Sequence, residues 1–268
     1  TATYCSALRR MDAVMGNDER YIQRTIRAAK DLNPNVICFL GSPVPILIGT
    51  DLKGMAREVE AETGIPSFGF ETSGQGYYDR GASDVFLALT KRFLKGKPVR
   101  PKAGPLTVNL LGMLPLDFGN TGNLEKIQSF LKEKGMEINA NFAFGLTIDQ
   151  IRRAGNADFN LVLSRSGLAL AAYLEKKYSI PYFCGVPVGD GSLYLQAFKE
   201  KRAGLSEKPP EKARGGKGIL IIHEQVFANS LRDHLRAECP DLPVFVGSLI
   251  GLEKTLAEPD DLNLNLEK

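Results

Sequence analysis

The sequence predicts an α/β protein with successive Rossmann-like domains, parallel sheets and an incomplete third domain. Two observations predict this class. Short apolar runs alternate with amphipathic segments of helical length. The alternation starts again after each of two polar segments rich in Pro, Gly and Lys, 95–105 and 205–217. Because parallel strands need crossover helices to join them, this alternation indicates parallel sheets.

The composition narrows the class of protein. Of 268 residues 43% are hydrophobic and 24% charged, and the net charge is +3. Dispersed Lys and Arg argue against a nucleic-acid partner, and no apolar run approaches a membrane span. The cysteines form no CxxC pair and are typical of reduced thiols; they are Cys5, Cys38, Cys184 and Cys239. With no signal peptide visible, we expect a cytoplasmic protein that binds neither nucleic acid nor membranes.

Each point at which the alternation of strands and helices begins again marks a new predicted segment of the chain. Domains are predicted at 1–97 and 104–205, a partial third unit at 217–250 and a tail at 251–268. In the second domain we expect strands at 106–113, 136–142, 158–164 and 180–185, with helices at 122–135, 147–155, 166–179 and 192–204. The third unit shows a strand at 218–223, a helix at 224–239 and a strand at 242–248, whereas the tail has no comparable pattern.

The first domain shows the clearest boundary signals. Its helices are predicted at 17–33, 50–64 and 83–95, and its strands at 35–41 and 65–72. Thr50 or Asp51 is the predicted N-cap of the second helix, Gly64 its stop, and Ser83 the cap of the third. The first apolar run is typical of a strand buried on both faces, which would make Cys38 a buried thiol.

Familiar nucleotide and zinc motifs are missing from the sequence. There is no GxxxxGK[ST], and GQGYYDRG at 74–81 matches GxGxxG only loosely, without the acidic residue of a dinucleotide fingerprint. HEQVF, which begins at His223, lacks the second histidine of HExxH. We therefore interpret 74–81 as a surface loop and His223 as a structural residue, and no catalytic residue is assigned.

The stretch VICFLGSPVPILIGTDLKGMAREVE at 36–60 combines a strand, two turns and a helix start. Ligands of parallel α/β sheets bind outside the carboxyl ends of the strands, where helix N-termini converge. Gly41, Ser42, Gly49 and Asp51 are therefore candidates to line a ligand cleft with backbone amides and a carboxylate. The alternative is that they only form a tight turn and cap a helix.

Two further segments follow predicted strands and are assigned to the same cleft, between the first two domains. The candidate residues are Ser73, Gly74 and Gln75 in one loop, and Arg165 with Ser166 in the other. Arg165 would supply a positive charge with a fork geometry that suits a carboxylate or phosphate. The alternative is that Arg165 forms a surface salt bridge and that these loops only reverse the chain direction without binding a ligand.

The stretch at 36–60 resembles the cluster-proximal turn of the nitrogenase component 1-like oxidoreductase family, in which a cysteine turn is followed by an apolar pair, Ile-Gly-Asp-Asp and a helix. The resemblance continues in order along the chain, through GIPSFGFETSGQGYYDRG, AAYLEKKYSIPYFCGVPVG and GILIIHEQVFANSLRDHL. It implies electron delivery through a cluster to a substrate held between α/β domains.

The family's metal ligands are not matched. The cysteine of the family's turn stands six residues before the glycine of Ile-Gly, and that position is Pro43 here, beside Ser42. The cysteine that anchors the iron–molybdenum cofactor would fall near Leu163, just before Arg165. Since neither position carries a thiolate, we expect this chain alone to bind no metal or cofactor. An iron–sulfur cluster would belong to the parent protein or a complex.

Two functions of different classes remain. The resemblance implies an oxidoreductase subunit that receives electrons from an ATP-dependent iron–sulfur reductase protein and reduces a small molecule or a tetrapyrrole. Its expected partners are that reductase and a related nitrogenase-like subunit or a second copy of itself. The alternative is a non-catalytic scaffold or ligand-binding protein on the same fold, which holds a cofactor precursor, a tetrapyrrole or a small anion.

Overall fold

The computed structural model describes residues 2–5, 18–96, 104–200 and 218–265. Most of both polar segments therefore lies outside the described residues, and the domain boundaries that adjoin them stay predictions. The chain divides into two compact units, Thr1–Asp84 and Val85–Lys268. Every strand pair within the described ranges is parallel, which confirms the α/β class with parallel sheets.

The first unit contains a two-stranded sheet with two helices packed on the face of Phe39. Its elements are α1 (Asp18–Leu32), β1 (Ile37–Leu40), α2 (Pro43–Leu47), α3 (Leu52–Thr63), β2 (Ser67–Phe70) and the start of α4 (Tyr78–Phe93). Phe39 of β1 packs with Ile22 and Ile26 of α1 and with Met55 and Val59 of α3. These side chains recur at helical spacing, so the periodicity of the sequence predicted both helices correctly.

β1 is buried on one face only, and the expectation of a strand buried on both faces is wrong. Phe39 is 2% exposed, whereas Leu40 is 64% exposed. Successive side chains of a strand point to opposite faces, and α1 and α3 pack on the face of Phe39. Cys38 is exposed, so it is not the buried thiol that the apolar run suggested.

The predicted helix signals are confirmed for α3 but not for α4. The carboxylate of Asp51 accepts a hydrogen bond from the amide three residues later at 2.8 Å. Gly64 ends α3 in the left-handed conformation with φ +70°. Ser83 lies inside α4, which begins at Tyr78. Asp79 stands in the first turn of that longer helix, where a negative charge suits the helix dipole.

The second unit is built on a four-stranded sheet with the order β4-β3-β5-β6. Its strands are β3 (Leu106–Met113), β4 (Met136–Ala143), β5 (Phe159–Val162) and β6 (Tyr182–Cys184). Its helices are α5 (Pro115–Phe118), α6 (Thr121–Glu133), α7 (Ile148–Arg153), α8 (Leu168–Tyr178) and α9 (Ser192–Lys199), with 3₁₀ turns at Ala154–Asn156 and Arg165–Gly167. The four strands lie where the sequence predicted them, and α5 was not predicted.

Asparagines cross this sheet and fix the register of its strands; Asn109 and Asn160 are buried, and Asn139 is half-buried. Asn109 of β3 is the register partner of Asn160 of β5, and its amide nitrogen donates to the Asn160 side-chain oxygen at 2.9 Å. Asn139 of β4 donates to the side-chain oxygen of Asn109 at 2.8 Å. A slip of one residue would break these bonds inside an apolar core, so the asparagines specify which loops meet at the carboxyl edge.

A third sheet follows in the same unit. It comprises β7 (Ile219–Ile222), β8 (Val244–Ser248) and β9 (Leu262–Asn263), in that order, with α10 (Gln225–Glu238) packed on it. The segment 251–268 shows no strand pattern in the sequence, because a strand of two residues has no periodicity to detect. No helix of the described ranges has both the length and the apolar character to cross a bilayer.

Candidate functional site

The carboxyl ends of β3, β5 and β6 lie at one edge of the four-stranded sheet, because these strands are parallel. The segment after β5, Ser164–Gly167, leads directly into α8; we call it the 164–167 turn. The Ser164 hydroxyl donates to the carbonyl of Gly112 near the end of β3 at 2.5 Å. It also lies 2.8 Å from the hydroxyl of Ser166. This pair of serines joins the turn to β3.

Gly112 allows this close approach. Its φ is +84°, and a Cβ placed there would lie 2.7 Å from the Ser164 hydroxyl oxygen and 2.8 Å from the amide nitrogen of Gly167. Only glycine fits such a position without strain. Ser166 is buried, and its hydroxyl is engaged with Ser164. Its assignment as a ligand-binding residue stays a prediction.

Arg165 bridges the turn to the third sheet. Its backbone amide donates to Glu224 Oε1 at 2.8 Å. Its guanidinium Nη1 donates to the carbonyl of Ile250 at 3.3 Å and to the carbonyl of Gly251. The guanidinium therefore binds main-chain oxygens after β8. Both its role as an anion ligand and the alternative of a surface salt bridge stay predictions.

Glu224 is the buried acid that the sequence analysis missed. It caps α10, because Oε2 accepts the amide of Phe227 at 3.0 Å. Burial raises its pKa to about 7; amide hydrogen bonds oppose the rise, and the nearby carboxyl of Asp117 adds to it. An acid at the junction between an apolar strand and a helix was a visible N-cap signal, but nothing local indicated that the fold would bury it.

Cys184, at the end of β6, lies close enough to Glu224 for their charges to interact. Burial raises the pKa of the thiol to about 12, and Glu224 adds to the rise. A thiol with such a pKa stays protonated near neutral pH, and it is the thiolate that acts as nucleophile or metal ligand. Cys184 is thus a packing residue at this edge of the sheet.

In the first unit, the structure brings the turn after β1 and the loop after β2 together. The hydroxyl of Thr72 donates to the carbonyl of Gly41 at 2.8 Å. A Cβ at Gly74, whose φ is +75°, would lie 3.1 Å from a side-chain carbon of Pro43. In the loop itself, the amide of Gln75 donates to the Ser73 hydroxyl at 3.2 Å.

Among the remaining candidates of the first unit, Asp51 and Gly49 show local structural roles. Asp51 caps α3 and lies 3.5 Å from the guanidinium of Arg57, with both side chains largely exposed. Ser42 precedes α2 without a side-chain capping bond, and Gly49 turns the chain with φ +76°. These features agree with the tight-turn alternative. The cleft shared with Arg165 and Ser166, which belong to the second unit, stays a prediction.

The side chains at the predicted cluster positions do not fit an iron–sulfur cluster. Pro43 has no donor atom, Ser42 offers a hydroxyl in place of a thiolate, and Leu163 is apolar and buried. Within the described ranges no group of three or more His, Cys, Asp or Glu side chains is placed to hold a metal ion.

Comparisons with known proteins agree with this fold. The family model for nitrogenase component 1 type oxidoreductases matches residues 2–192. One subunit of the light-independent protochlorophyllide reductase of Heliobacterium modesticaldum is 27% identical over 207 residues, which cover 76% of this chain and 39% of that protein. The nitrogenase iron-molybdenum cofactor biosynthesis protein NifE of Methanococcus maripaludis is 25% identical over 184 residues, which cover 66% of this chain and 37% of that protein.

A solved structure supports the same architecture. The structure of nitrogenase Cp1 at pH 5 aligns with a TM-score of 0.66 and 20% identity, and the alignment covers 96% of this chain and 56% of that one. At that identity the match shows the fold. The chain spans less than half the length of both relatives named above. Because the family model covers well over half of the chain, the chain belongs to the nitrogenase component 1 type oxidoreductase family.

Proposed function

We propose that this chain is a subunit of a nitrogenase-like oxidoreductase that receives electrons from an ATP-dependent iron–sulfur reductase protein. The substrate is a small molecule or a tetrapyrrole. The family match over residues 2–192 carries this proposal. The relative named as part of a protochlorophyllide reductase supports the tetrapyrrole class. Because the chain spans 39% of that relative, the activity is assigned to the assembled protein rather than to this segment alone.

The proposal includes a protein partner, either a related subunit or a second copy of this chain. Apolar side chains are exposed in two regions that such a partner would cover. In the third sheet Leu220 and Ile222 of β7 are exposed, and in the first unit Leu40 and Leu47 are exposed around the end of β1. Exposed apolar surface of this kind is typical of interaction sites. A cluster, if present, would use ligands from that partner or from the parent protein.

The test is to purify the tagged chain anaerobically, alone and from its own cells with its natural partners. Iron, acid-labile sulfide and visible absorbance are then measured. We expect stoichiometric iron and sulfide only in the complex, with absorbance that bleaches when the reductase and ATP are added. An iron-free native complex would contradict the oxidoreductase proposal. Stoichiometric iron on the chain alone would contradict the assignment of the ligands to a partner.

The second candidate is a scaffold that holds a cofactor precursor, a tetrapyrrole or a small anion without reducing it. The missing thiolates at Ser42, Pro43 and Leu163 favour it. A relative named as a cofactor biosynthesis protein favours it as well. In the same anaerobic experiment a scaffold would yield a complex that binds a tetrapyrrole saturably but shows no absorbance change with reductase and ATP.

Both candidates place an anionic ligand at the carboxyl edges of the sheets. The predicted set remains Gly41, Ser42, Gly49, Asp51, Ser73, Gly74, Gln75, Arg165 and Ser166. Arg165 is the cation of this set, and it starts the 3₁₀ turn that leads into α8. The N-terminus of a helix favours negative charge. A tetrapyrrole carboxylate or a phosphate satisfies both requirements.

The ligand test compares two substitutions that disturb the same loop from opposite sides. Arg165→Ala removes the guanidinium from the carbonyls of Ile250 and Gly251. Gln225→Ala releases the same loop at Glu253 but leaves Arg165 in place. With inorganic phosphate and a tetrapyrrole dicarboxylate as calorimetric probes, Arg165→Ala should weaken binding by about 1.5–3 kcal/mol, and Gln225→Ala by much less. Equal losses would assign the effect to the loop and reject Arg165 as a ligand.

A further inference from the structure

Glu224 lies where two helical segments begin. Its two carboxylate oxygens accept the amide of Arg165, at the start of the 164–167 turn's 3₁₀ helix, and the amide of Phe227, in the first turn of α10. Arg165 and Glu224 are 59 residues apart in the sequence. One buried carboxylate therefore satisfies amides that neither helical segment can satisfy internally, and it fixes the turn against α10.

The same two segments are joined a second time through the loop after β8. Arg165 Nη1 donates to the carbonyls of Ile250 and Gly251. Gln225, next to Glu224, holds that loop from the other side: its side-chain oxygen accepts the Glu253 amide at 2.6 Å, and its nitrogen donates to the Glu253 carbonyl at 3.2 Å. The turn, the loop and α10 thus form a closed ring of hydrogen bonds, in which the carboxylate of Glu224 links α10 directly to the turn.

Burial and, to a lesser degree, the carboxyl of Asp117 on α5 make the charged form of Glu224 costly. Cys184 of β6 is a buried thiol whose own pKa Glu224 raises. Arg165 faces it with the backbone amide, while its guanidinium binds the loop. On its own strand–helix junction, the ring of His223 packs on Phe227 at 4.7 Å. Burial and the neighbouring acid favour a proton on Glu224, whereas the two amides favour the carboxylate.

We propose that Glu224 is a positioning residue whose protonation state sets how firmly the 164–167 turn is held to helix α10. When the turn opens, the carboxyl becomes solvated and ionises at its ordinary pKa. Deprotonation therefore favours the open state, and rising pH loosens the turn. The consequence for an anion bound at Arg165 rests on the function proposed above, but the opening of the turn does not.

The size of the effect follows from the pKa of Glu224, which is about 7 in the folded protein against an ordinary value of 4.5. The opening constant of the turn should rise on the order of 50-fold from about pH 5 to about pH 8. Below about pH 4 the proton is present in both states and opening should change little. Above about pH 8 it is absent from both, and the opening constant should level off.

Hydrogen exchange followed by mass spectrometry tests this without any ligand. Protection factors, corrected for the intrinsic pH dependence of exchange, are compared for peptides covering 163–168 and, as an internal reference, for β4. We expect protection of the turn to fall with pH while that of β4 stays constant. Constant protection at the turn in the unmodified chain would overturn the proposal, and this comparison does not depend on the folding of any variant.

Two Glu→Gln variants distinguish the titration of Glu224 from that of other acids. Glu224→Gln should make the protection of the turn independent of pH, because the amide does not titrate and still accepts one of the two amide bonds. Glu238→Gln makes the same change at an exposed position at the end of α10 and should keep the full pH dependence. A pH dependence that survives Glu224→Gln would assign the titration to another group and refute the inference.

Asp233 must be distinguished from Glu224, because burial raises its pKa to about 6 and it lies on the same helix. The charged groups that affect it, Arg232, Arg236, Glu258 and Asp261, belong to the ion pairs that hold 258–261. Asp233→Asn should therefore change protection in peptides around 256–263 and leave the 163–168 peptides with their fall in protection between about pH 5 and pH 7. Loss of that fall in Asp233→Asn would contradict the assignment to Glu224.

Discussion

Replacing Arg232 with Met should unfold the C-terminal part of the second unit first. Arg232 is 3% exposed and holds two carboxylates, Asp261 at 2.6 Å and Glu258 at 3.1 Å. These contacts fasten the segment before β9 to α10. Met fills a similar volume without the charge, so the substitution tests the ion pair rather than the packing.

The magnitude depends on which carboxylate is left without a cation. Glu258 still has the guanidinium of Arg236 at 2.9 Å, so it loses only one of its two cationic partners. Asp261 is 2% exposed and loses its guanidinium partner, but it keeps the amide of Glu258 at 2.8 Å. Breaking a buried pair by removing one partner costs about 3–5 kcal/mol. Because the amide bond remains, we expect the lower end, about 3 kcal/mol.

Urea unfolding monitored by circular dichroism measures the loss, and limited proteolysis at 249–263 locates it. The matched control is Arg152→Met, which breaks an exposed pair with Asp149 at 2.9 Å and should cost less than about 0.5 kcal/mol. Adding Asp261→Asn to Arg232→Met should recover part of the stability, because it removes the buried charge. A cost of Arg232→Met similar to that of the control would refute the argument.

Three further predictions concern the turns and the buried acid. Gly112→Ala should destabilise the protein by about 2 kcal/mol or more, since its Cβ would meet Ser164 and Gly167. Gly135→Ala, which has a similar φ of +79° but open space around it, should cost only the strain of about 1 kcal/mol; equal melting temperatures of the two variants would contradict this. Asp51→Ala should cost about 1 kcal/mol through the lost cap of α3, seen as faster exchange of the first amides of that helix; unchanged exchange would instead favour a ligand role for the carboxylate. The raised pKa of Glu224 contributes stability that is complete below its ordinary pKa and lost as pH rises through about 7. Denaturant midpoints should therefore fall between about pH 5 and pH 8, by up to about 3 kcal/mol in the free energy of unfolding. A midpoint that rises over that range would contradict this pH dependence.

The local signals in the sequence placed most helices and strands. Some signals act within one or two helical turns and can therefore be recognised in a short stretch of sequence. They include the apolar positions of α1, the Asp51 cap of α3 and its Gly64 stop. The strand Leu106–Met113 was predicted with its observed bounds, because a run of branched apolar residues flanked by Gly and Pro has few alternatives. The family resemblance rests on the same order of elements.

Where the prediction was wrong, a distant partner decided the outcome. The apolar composition of β1 does not reveal that helices pack on the face of Phe39 while Leu40 stays exposed. β9 forms because β8 offers it a free edge and because Arg232 and Asp261, 29 residues apart, meet in a buried pair. Neither the strand pairing nor the ion pair produces a periodic pattern of apolar residues in the segment 251–268.

The site shows the same division between sequence and tertiary structure. The sequence by itself determined that Arg165 and Ser166 follow a strand and precede a helix, and that Glu224 stands at a helix start. Only the tertiary structure decided that Arg165 holds carbonyls 85 and 86 residues away and that Glu224 caps two helical segments at once. The physical reason is that caps and periodicity depend on neighbours in the chain, whereas burial, and the pKa shift that burial causes, depend on everything that packs around a group.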